Sequence, residues 1–259
     1  MNRMANNLFT MKENGEKILI TYFPLCDPAL GDPVAAAKTY FKSGANVLEM
    51  GLPYENPEMD GKTVSDSMFR ALETHDVLDA FDDIKKVRQT FPERNLQVMT
   101  YFEIIDKMGV DKFAERCADA GADAVLTPNI PSNRVAELDD ALNKRGLIQL
   151  RFSPYELNDA VIQDLKDHAA GYIFQQAVNG GTGKQPKVSS QAGKNADILR
   201  KNGVTTPICG GFGISNCDQA HDMKEFGLDG IICGSAVIDS ILNGSLGEFI
   251  QSLRDGLDY

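Results

Sequence analysis

The sequence is short of positive charge. Its 259 residues include 26 Lys and Arg against 37 Asp and Glu, which gives a formal net charge of −11 at pH 7. Because nucleic acids and anionic membranes are bound by clustered cations, this balance argues against a general affinity for either. The chain also lacks an apolar run of the roughly 20 residues needed to cross a bilayer. Its first residues, MNRMANNLFTMKENGEK, lack the apolar core of a signal peptide, so we expect a cytoplasmic protein.

Cysteine is present but forms no recognisable framework. The five cysteines are an odd number, and none of them stand in a CxxC spacing. Cys26, Cys209 and Cys233 fall in or beside apolar strand-like runs, whereas Cys117 and Cys217 fall in helix-like ones. A disulfide framework or a zinc site would need closely spaced pairs. We therefore expect reduced thiols that are mostly buried.

The sequence does have a regular alternation of short apolar runs and amphipathic stretches. The apolar runs predict eight strands, over residues 18–25, 46–52, 96–102, 124–128, 147–152, 172–178, 207–213 and 230–237. Most are followed by helix-like patterns, and several of these end at a glycine suited to a left-handed cap, namely Gly44, Gly121, Gly146, Gly203 and Gly227. Eight strand–helix units of about 32 residues fill the chain, close to the usual size of a (β/α)₈ barrel.

The predicted fold is therefore α/β, a single-domain (β/α)₈ TIM barrel over residues 1–259. It would include an N-terminal helix at about 3–14 and a mobile lid loop at about 179–195. A doubly wound open sheet is the rival fold, but it predicts a GxGxxG turn directly after the first strand, and FPLCDPALGDP is not one. In a barrel, functional residues lie at the carboxyl ends of the strands.

Three late strands end in glycine-rich loops: NGGTG at 179–183, GGFGIS at 210–215 and CGSA at 233–236. Glycines let the backbone approach an anion, and Gly234 and Ser235 stand at the start of a predicted helix, where free amides favour negative charge. Such loops also simply close tight strand–helix connections. Two of them, after strands seven and eight, favour a phosphate site, a recurrent feature of barrels.

The predicted strand ends lack the residues that several barrel chemistries need. No predicted strand contains a lysine, which a Schiff-base aldolase would use. The three histidines, His75, His168 and His221, fall in or beside helix-like segments rather than at strand ends, so we expect no metal site. No motif supports a flavin or nicotinamide, and we expect no cofactor.

Two carboxylates remain for acid–base chemistry. In VLEMGL the alternation of side chains points Leu48 and Met50 toward the helices and Glu49 toward the barrel axis, where burial would raise its pKa toward neutrality. Asp60 stands in the following loop and can remain ionised. The alternatives are that Glu49 is a buried acid paired with Arg151, and that Asp60 is only a turn residue before Gly61.

At this point the residues carry a resemblance to a known family. GANVLEMGLPYENPEMDG resembles the pattern GAD-x-x-E-[LI]-G-[VI]-P-[FY]-S-D-P-x-A-D-G of the tryptophan synthase α-subunit family, and VMTYF, AGADAVLTPNIP, GGTG, GGFGIS and DGIICGSAV extend the match over nearly the whole chain. The resemblance implies a lyase that cleaves indole-3-glycerol phosphate to indole and glyceraldehyde 3-phosphate. It also implies a β-subunit partner.

The same resemblance implies a role for each matched residue. Glu49 would be the catalytic acid–base and Asp60 the partner of the indole N–H. The remaining substrate- and phosphate-binding positions would be Tyr101, Phe174, Thr182, Gly183, Gly211, Gly213, Gly234 and Ser235, with Thr182 and Gly183 closing the lid. With neither lysine nor metal, the electron sink must lie in the substrate, and an indole protonated at C3 provides one.

The chain departs from the family pattern at positions that the resemblance assigns to β-subunit contact and communication. Ser-Asp-Pro becomes Glu55-Asn56-Pro57, Asn-Pro after the third strand becomes Glu103-Ile104, and an aspartate after the fourth becomes Asn129. A tyrosine becomes Phe174, and GVTG reads GGTG. Two interpretations stay open: drift in step with a changed β subunit, or weakened or rewired coupling, with free indole as the product.

Two other classes of function also stay open at this stage. One is a lyase or isomerase that acts on another aryl or sugar phosphate, which the change at Phe174 would suit. The other is a non-catalytic protein that binds a phosphorylated metabolite and regulates another subunit. The presence of both Glu49 and Asp60 argues against the second.

Overall fold

The strands form a parallel barrel. A computed structural model describes residues 2–177, 190–211 and 213–259. Within these ranges nine strand segments pair in the order β5-β4-β3-β2-β1-β9-β8-β7-β6, and every pair is parallel. They are β1 (Ile18–Pro24), β2 (Val47–Gly51), β3 (Asn95–Met99), β4 (Ala124–Leu126), β5 (Ile148–Gln149), β6 (Arg151–Ser153), β7 (Ile173–Gln176), β8 (Ile208–Gly211) and β9 (Gly230–Cys233).

Helices alternate with these strands; most cover the outside of the sheet, and the first packs Met4 and Leu8 against the inner core. They are α1 (Arg3–Glu13), α2 (Pro33–Lys42), α3 (Lys62–Leu72), α4 (Val77–Thr90), α5 (Phe102–Met108), α6 (Val110–Ala120), α7 (Val135–Asn143), α8 (Asp159–His168), α9 (Gln191–Lys201), α10 (Cys217–Glu225), α11 (Ser235–Leu242) and α12 (Leu246–Asp258). A 3-10 turn at Ser132–Arg134 precedes α7. No helix in the described ranges is both long and apolar enough to cross a membrane.

The fifth predicted strand, which is observed as the two segments β5 and β6, closes the barrel. The two edges of the sheet, β5 and β6, are separated in the chain only by Leu150, and the side-chain alternation runs through this break. Ile148 and Leu150 pack in the inner core, and Phe152 packs against it, whereas Arg151 pairs with Asp139 on α7. The pieces are therefore one strand, and the predicted eight-stranded barrel with a single domain is confirmed.

Several predicted boundaries were wrong. The third predicted strand, observed as β3, ends at Met99 and not at residue 102, because α5 begins at Phe102. The eighth predicted strand, observed as β9, ends at Cys233 and not at residue 237, because α11 begins at Ser235. The last five residues of the predicted lid, 191–195, belong to α9. The rest of the lid through residue 189 lies outside the described residues, and so do Thr182 and Gly183.

The predictions about helix ends and thiols are confirmed. The five glycines expected to cap helices all have positive φ angles, between 75° and 103°, namely Gly44, Gly121, Gly146, Gly203 and Gly227. All five cysteines are free, and four of them are buried. Cys26 lies in the turn after β1 with a φ of 60°.

Candidate active site

A cleft opens at the carboxyl ends of the strands. Residues of β1, β2, β3, β4, β6, β7 and β9 and of the loops after β2, β4, β8 and β9 line it. Six of the residues predicted from the sequence lie in this lining: Glu49, Asp60, Phe174, Gly213, Gly234 and Ser235.

Glu49 points from the middle of β2 into the cleft. Its neighbours Leu48 and Met50 pack in the outer core between sheet and helices, as the alternation predicted. The Glu49 carboxyl group is buried and accepts a hydrogen bond of 3.0 Å from Nε2 of Gln97, its register partner on β3. Arg151 is not its partner, because that guanidinium contacts Asp139 and Asp164 on the helix side.

The environment of Glu49 favours its protonated form. Burial first, and then the neighbouring Asp60 carboxylate, raise the pKa of the carboxyl group from 4.5 to about 8, against the hydrogen bond from Gln97, which lowers it. A carboxyl group with such a pKa can both donate and accept a proton near neutral pH.

Asp60 is fixed by a tyrosine rather than by the turn alone. Tyr101 Oη donates a 2.8 Å hydrogen bond to Oδ2 of Asp60 and accepts one of 3.2 Å from the Met59 amide. The ring of Tyr101 stacks on that of Tyr54, with centroids 4.9 Å apart. These contacts hold the Asp60 side chain at the cleft, so the interpretation that it only precedes Gly61 in a turn was too narrow.

The rings of Phe152 and Phe174 form an aromatic wall. Their strands, β6 and β7, lie on the side of the barrel opposite β2, which carries Glu49. The Phe152 and Phe174 rings stack with centroids 5.3 Å apart and an interplanar angle of 30°. Gly211 lies behind this wall, because a Cβ added to it would come within 2.3 Å of Phe174 Cζ. Gly211 therefore makes room for the ring, and its predicted contact with a phosphate stays a prediction.

The other predicted anion-binding residues lie together. Gly213 has a φ of 85°, and Gly234 directly precedes α11, which begins at Ser235. The first amides of a helix have no partner within it, and the helix dipole adds positive potential there. Together these backbone groups can hold a phosphate at one end of the cleft.

Three site residues were missed from the sequence, and one of them is Phe152 of the aromatic wall. Gln97 contacts Glu49, and Tyr22 lines the cleft from the adjacent strand β1, in register with Glu49. The signal for Tyr22 was the alternation of Ile18, Ile20 and Tyr22, which places all three on one face of β1. The signal for Gln97 was a polar residue inside an apolar strand, but its pairing with Glu49 depends on strand register, which a single sequence does not contain.

Four residues that depart from the family pattern lie in or next to the loop that carries Asp60: Glu55, Asn56, Glu103 and Asn129. Asn129 Oδ1 accepts from the Phe102 amide at 2.8 Å, and its Nδ2 donates to Glu103 at 2.9 Å. Asn56 donates to Glu58 at 3.0 Å. Burial and the carboxylates of Glu103, Glu55 and Glu58 raise the pKa of Tyr54. The ring of Tyr54 stacks on Tyr101, which holds Asp60. These exposed glutamates therefore form an acidic surface close to the tyrosines that support Asp60.

The described residues contain no cluster of three or more His, Cys, Asp and Glu side chains suited to a metal ion. The histidines lie on or beside helices as predicted: His75 follows α3, His168 ends α8 and His221 lies in α10.

The chain matches the family model described as "Tryptophan synthase alpha chain" over residues 8–253. It is 28% identical to the tryptophan synthase alpha chain of Vibrio parahaemolyticus serotype O3:K6, over 98% of both chains. It is 31% identical to that of Gloeobacter violaceus, over 97% of this chain and 94% of the relative. The solved tryptophan synthase subunit alpha from Legionella pneumophila str. Paris superimposes with a TM-score of 0.87 at 27% identity, over 100% of this chain and 99% of that chain. The chain therefore belongs to the tryptophan synthase alpha chain family.

Proposed function

We propose that the chain is a carbon–carbon lyase that cleaves indole-3-glycerol phosphate into indole and glyceraldehyde 3-phosphate, a step of tryptophan biosynthesis in the cytoplasm. Membership of the family supports this function. The observation that carries it is the buried Glu49, whose pKa is raised to about 8, in one cleft with the tyrosine-held Asp60.

The proposed reaction begins at Glu49. Its protonated carboxyl group donates the proton to C3 of the indole, which makes the ring an electron-poor iminium. The carboxylate so formed then takes the proton of the side-chain hydroxyl next to C3. The O–H electrons form the aldehyde C=O bond, and the electrons of the breaking C–C bond return to the ring. The carboxyl group is protonated again at the end.

Asp60 stabilises the positive charge that the ring carries after C3 is protonated. Its ionised carboxylate accepts the indole N–H, and the Tyr101 hydroxyl fixes the carboxylate in that position. The Phe152 and Phe174 rings offer a flat apolar surface for the indole. The proposed phosphate ligands are the amides around Gly213, Gly234 and Ser235, and Thr182 and Gly183 are proposed to close over the ligand.

We also propose that the chain binds a tryptophan synthase β subunit through the surface that contains Glu55, Asn56, Glu103 and Asn129, and that it binds neither nucleic acid nor membrane. The asparagine at position 56 lacks the charge that the family pattern has there, while Glu55 and Glu103 add carboxylates. A β subunit that fits this surface must present complementary basic groups. A β subunit whose own partner has the family pattern at these positions should therefore bind weakly to this chain and stimulate it little. A binding titration that gives tight, activating association would contradict the altered coupling.

The function is tested by incubating the purified chain with indole-3-glycerol phosphate and measuring both products. We expect equal amounts of indole and glyceraldehyde 3-phosphate, and no turnover by Glu49→Gln with unchanged substrate binding. Substrate binding without cleavage by the wild type, alone and with a β subunit, would favour the regulatory role. Absence of binding would move the assignment to another phosphorylated substrate.

A further inference from the structure

Tyr22 carries a buried hydroxyl group that the proposed reaction does not use. It lies on β1 in register with Glu49 on β2, and neighbouring residues of a parallel pair point to the same side of the sheet. The side chain is 3% exposed and lines the cleft. Its Oη has no hydrogen-bond partner among the residues that the structure describes.

The nearby polar groups are engaged with other residues. Glu49 Oε1 accepts from Gln97, and Asp60 Oδ2 accepts from Tyr101. Burial, followed by the carboxylates of Asp60 and Glu49, raises the pKa of Tyr22 well above its ordinary value, so the phenol remains protonated and can donate. A buried donor without a partner is costly in a folded protein and points to a ligand that completes it.

The position of Tyr22 shows which part of a ligand it would meet. A Cβ added to Gly51, at the end of β2 beyond Glu49, would lie 2.0 Å from the Tyr22 hydroxyl oxygen. A Cβ added to Gly234 would lie 3.8 Å from Tyr22 Cβ. The base of the Tyr22 side chain therefore lies beside the proposed phosphate loop, and its hydroxyl group lies beside the strand that carries Glu49.

We propose that the Tyr22 hydroxyl donates a hydrogen bond to an oxygen of the three-carbon chain of the phosphorylated ligand, between its phosphate and its reacting carbon. Tyr22 is then a specificity-determining residue that selects a hydroxylated chain over a plain alkyl phosphate. This inference rests on the proposed function for the identity of the ligand, and on the cleft geometry for the position of the oxygen.

Two simple ligands test the proposal without turnover. Glycerol 3-phosphate carries chain hydroxyls, and propyl phosphate has the same length without them. By calorimetric titration, the wild type should bind glycerol 3-phosphate more tightly than propyl phosphate. Tyr22→Phe should lose about tenfold in affinity for glycerol 3-phosphate, the weight of one hydrogen bond, and little for propyl phosphate.

Tyr40→Phe is the matched control, because the Tyr40 hydroxyl is also buried but donates to the Tyr22 backbone carbonyl at 3.0 Å. In the ligand-free proteins, Tyr40→Phe should lower Tm, since it removes a completed hydrogen bond, whereas Tyr22→Phe should leave Tm unchanged or higher. A fall in the Tm of Tyr22→Phe equal to that of Tyr40→Phe would show that the Tyr22 hydroxyl has a partner within the protein, and the proposal would be wrong.

The two ligands also separate this inference from the proposed function. Equal losses for both ligands in Tyr22→Phe, or no loss for either, would overturn the role of the hydroxyl even if the wild type releases indole. The expected loss for glycerol 3-phosphate alone would support it even if no indole is released. Failure of the wild type to bind either ligand would overturn both the phosphate site and this inference.

Discussion

Glu49 illustrates at the scale of one residue what a sequence can predict. The alternation in VLEMGL predicted its direction, and the buried environment followed from the barrel. The hydrogen bond from Gln97 and the support of Asp60 by Tyr101 join residues 48 and 41 positions apart. Such pairings depend on register and loop path, and neither is encoded in a local pattern.

Glu49→Gln should inactivate the protein and stabilise it in a pH-dependent way. The folded-state pKa is raised from 4.5 to about 8, so between these values the unfolded carboxyl group ionises while the folded one remains protonated. The wild type therefore loses stability as pH rises through this window, and glutamine does not. We expect the gap in unfolding free energy to widen by up to about 1.4 kcal/mol per pH unit from pH 5 to pH 8.

Urea denaturation of the ligand-free proteins at pH 5, 6.5 and 8 measures this gap. Two parallel stability curves would mean that Glu49 is ionised in the folded protein at neutral pH, contrary to its buried position.

Gln97→Leu and Asp60→Asn should shift the pKa of Glu49 in opposite directions. Leucine removes a hydrogen bond that stabilises the carboxylate, so the pKa rises. Asparagine removes a neighbouring like charge, so the pKa falls. Carbon-13 NMR titration of glutamate labelled at the side-chain carboxyl group, with Glu49→Gln to assign the signal, measures both shifts. Shifts of the same sign in both variants would contradict the electrostatic description of the site.

At the scale of single elements, the strand that closes the barrel was predicted as one run over 147–152 and is interrupted only at Leu150. Arg151 directly follows this interruption and links two helices, because it pairs with Asp139 on α7 and Asp164 on α8. The sequence suggested Glu49 as its partner, but consecutive strand residues point to opposite faces, and Arg151 faces the helices.

Arg151→Met should lower the unfolding free energy by about 2–3 kcal/mol, because it leaves the Asp139 carboxylate, which is only 22% exposed, without its cation. Adding Asp139→Leu should restore most of the loss. Lys62→Met breaks an ion pair whose lysine is 86% exposed, and should change stability by less than about 0.5 kcal/mol. Equal effects of Arg151→Met and Lys62→Met on the unfolding free energy in urea denaturation would show that the stability of the protein does not depend on the Arg151–Asp139 pair.

Gly211→Ala should damage the aromatic wall. The added methyl group would lie 2.3 Å from Phe174 Cζ, so the ring must move out of its stack with Phe152. We expect weaker indole binding by fluorescence or calorimetric titration. Gly146→Ala, where no atom lies within 4 Å of the added carbon, introduces only the strain of a positive φ and should leave indole binding unchanged. Equal indole affinities in both variants would argue against a role for the wall.

At the scale of the whole molecule, the barrel brings together groups that are distant in the chain. Tyr22, Glu49, Phe174 and Gly234 meet in one cleft because parallel strands place all their carboxyl ends on one side. The repeating strand–helix pattern was enough to predict this architecture. It was not enough to place Gly211 behind Phe174 or to find Tyr22, since both depend on the packing of side chains between strands.

The most direct test of the central claim, that Glu49 is the proton donor for cleavage, is the pH dependence of kcat/KM for indole release from indole-3-glycerol phosphate. Since kcat/KM reports the ionisation of the free enzyme, we expect it to fall on the alkaline side with an apparent pKa near the value of about 8 for Glu49. In Gln97→Leu the same fall should occur at higher pH. A rate that stays constant from pH 6 to pH 9.5, or indole release that persists in Glu49→Gln, would contradict the claim.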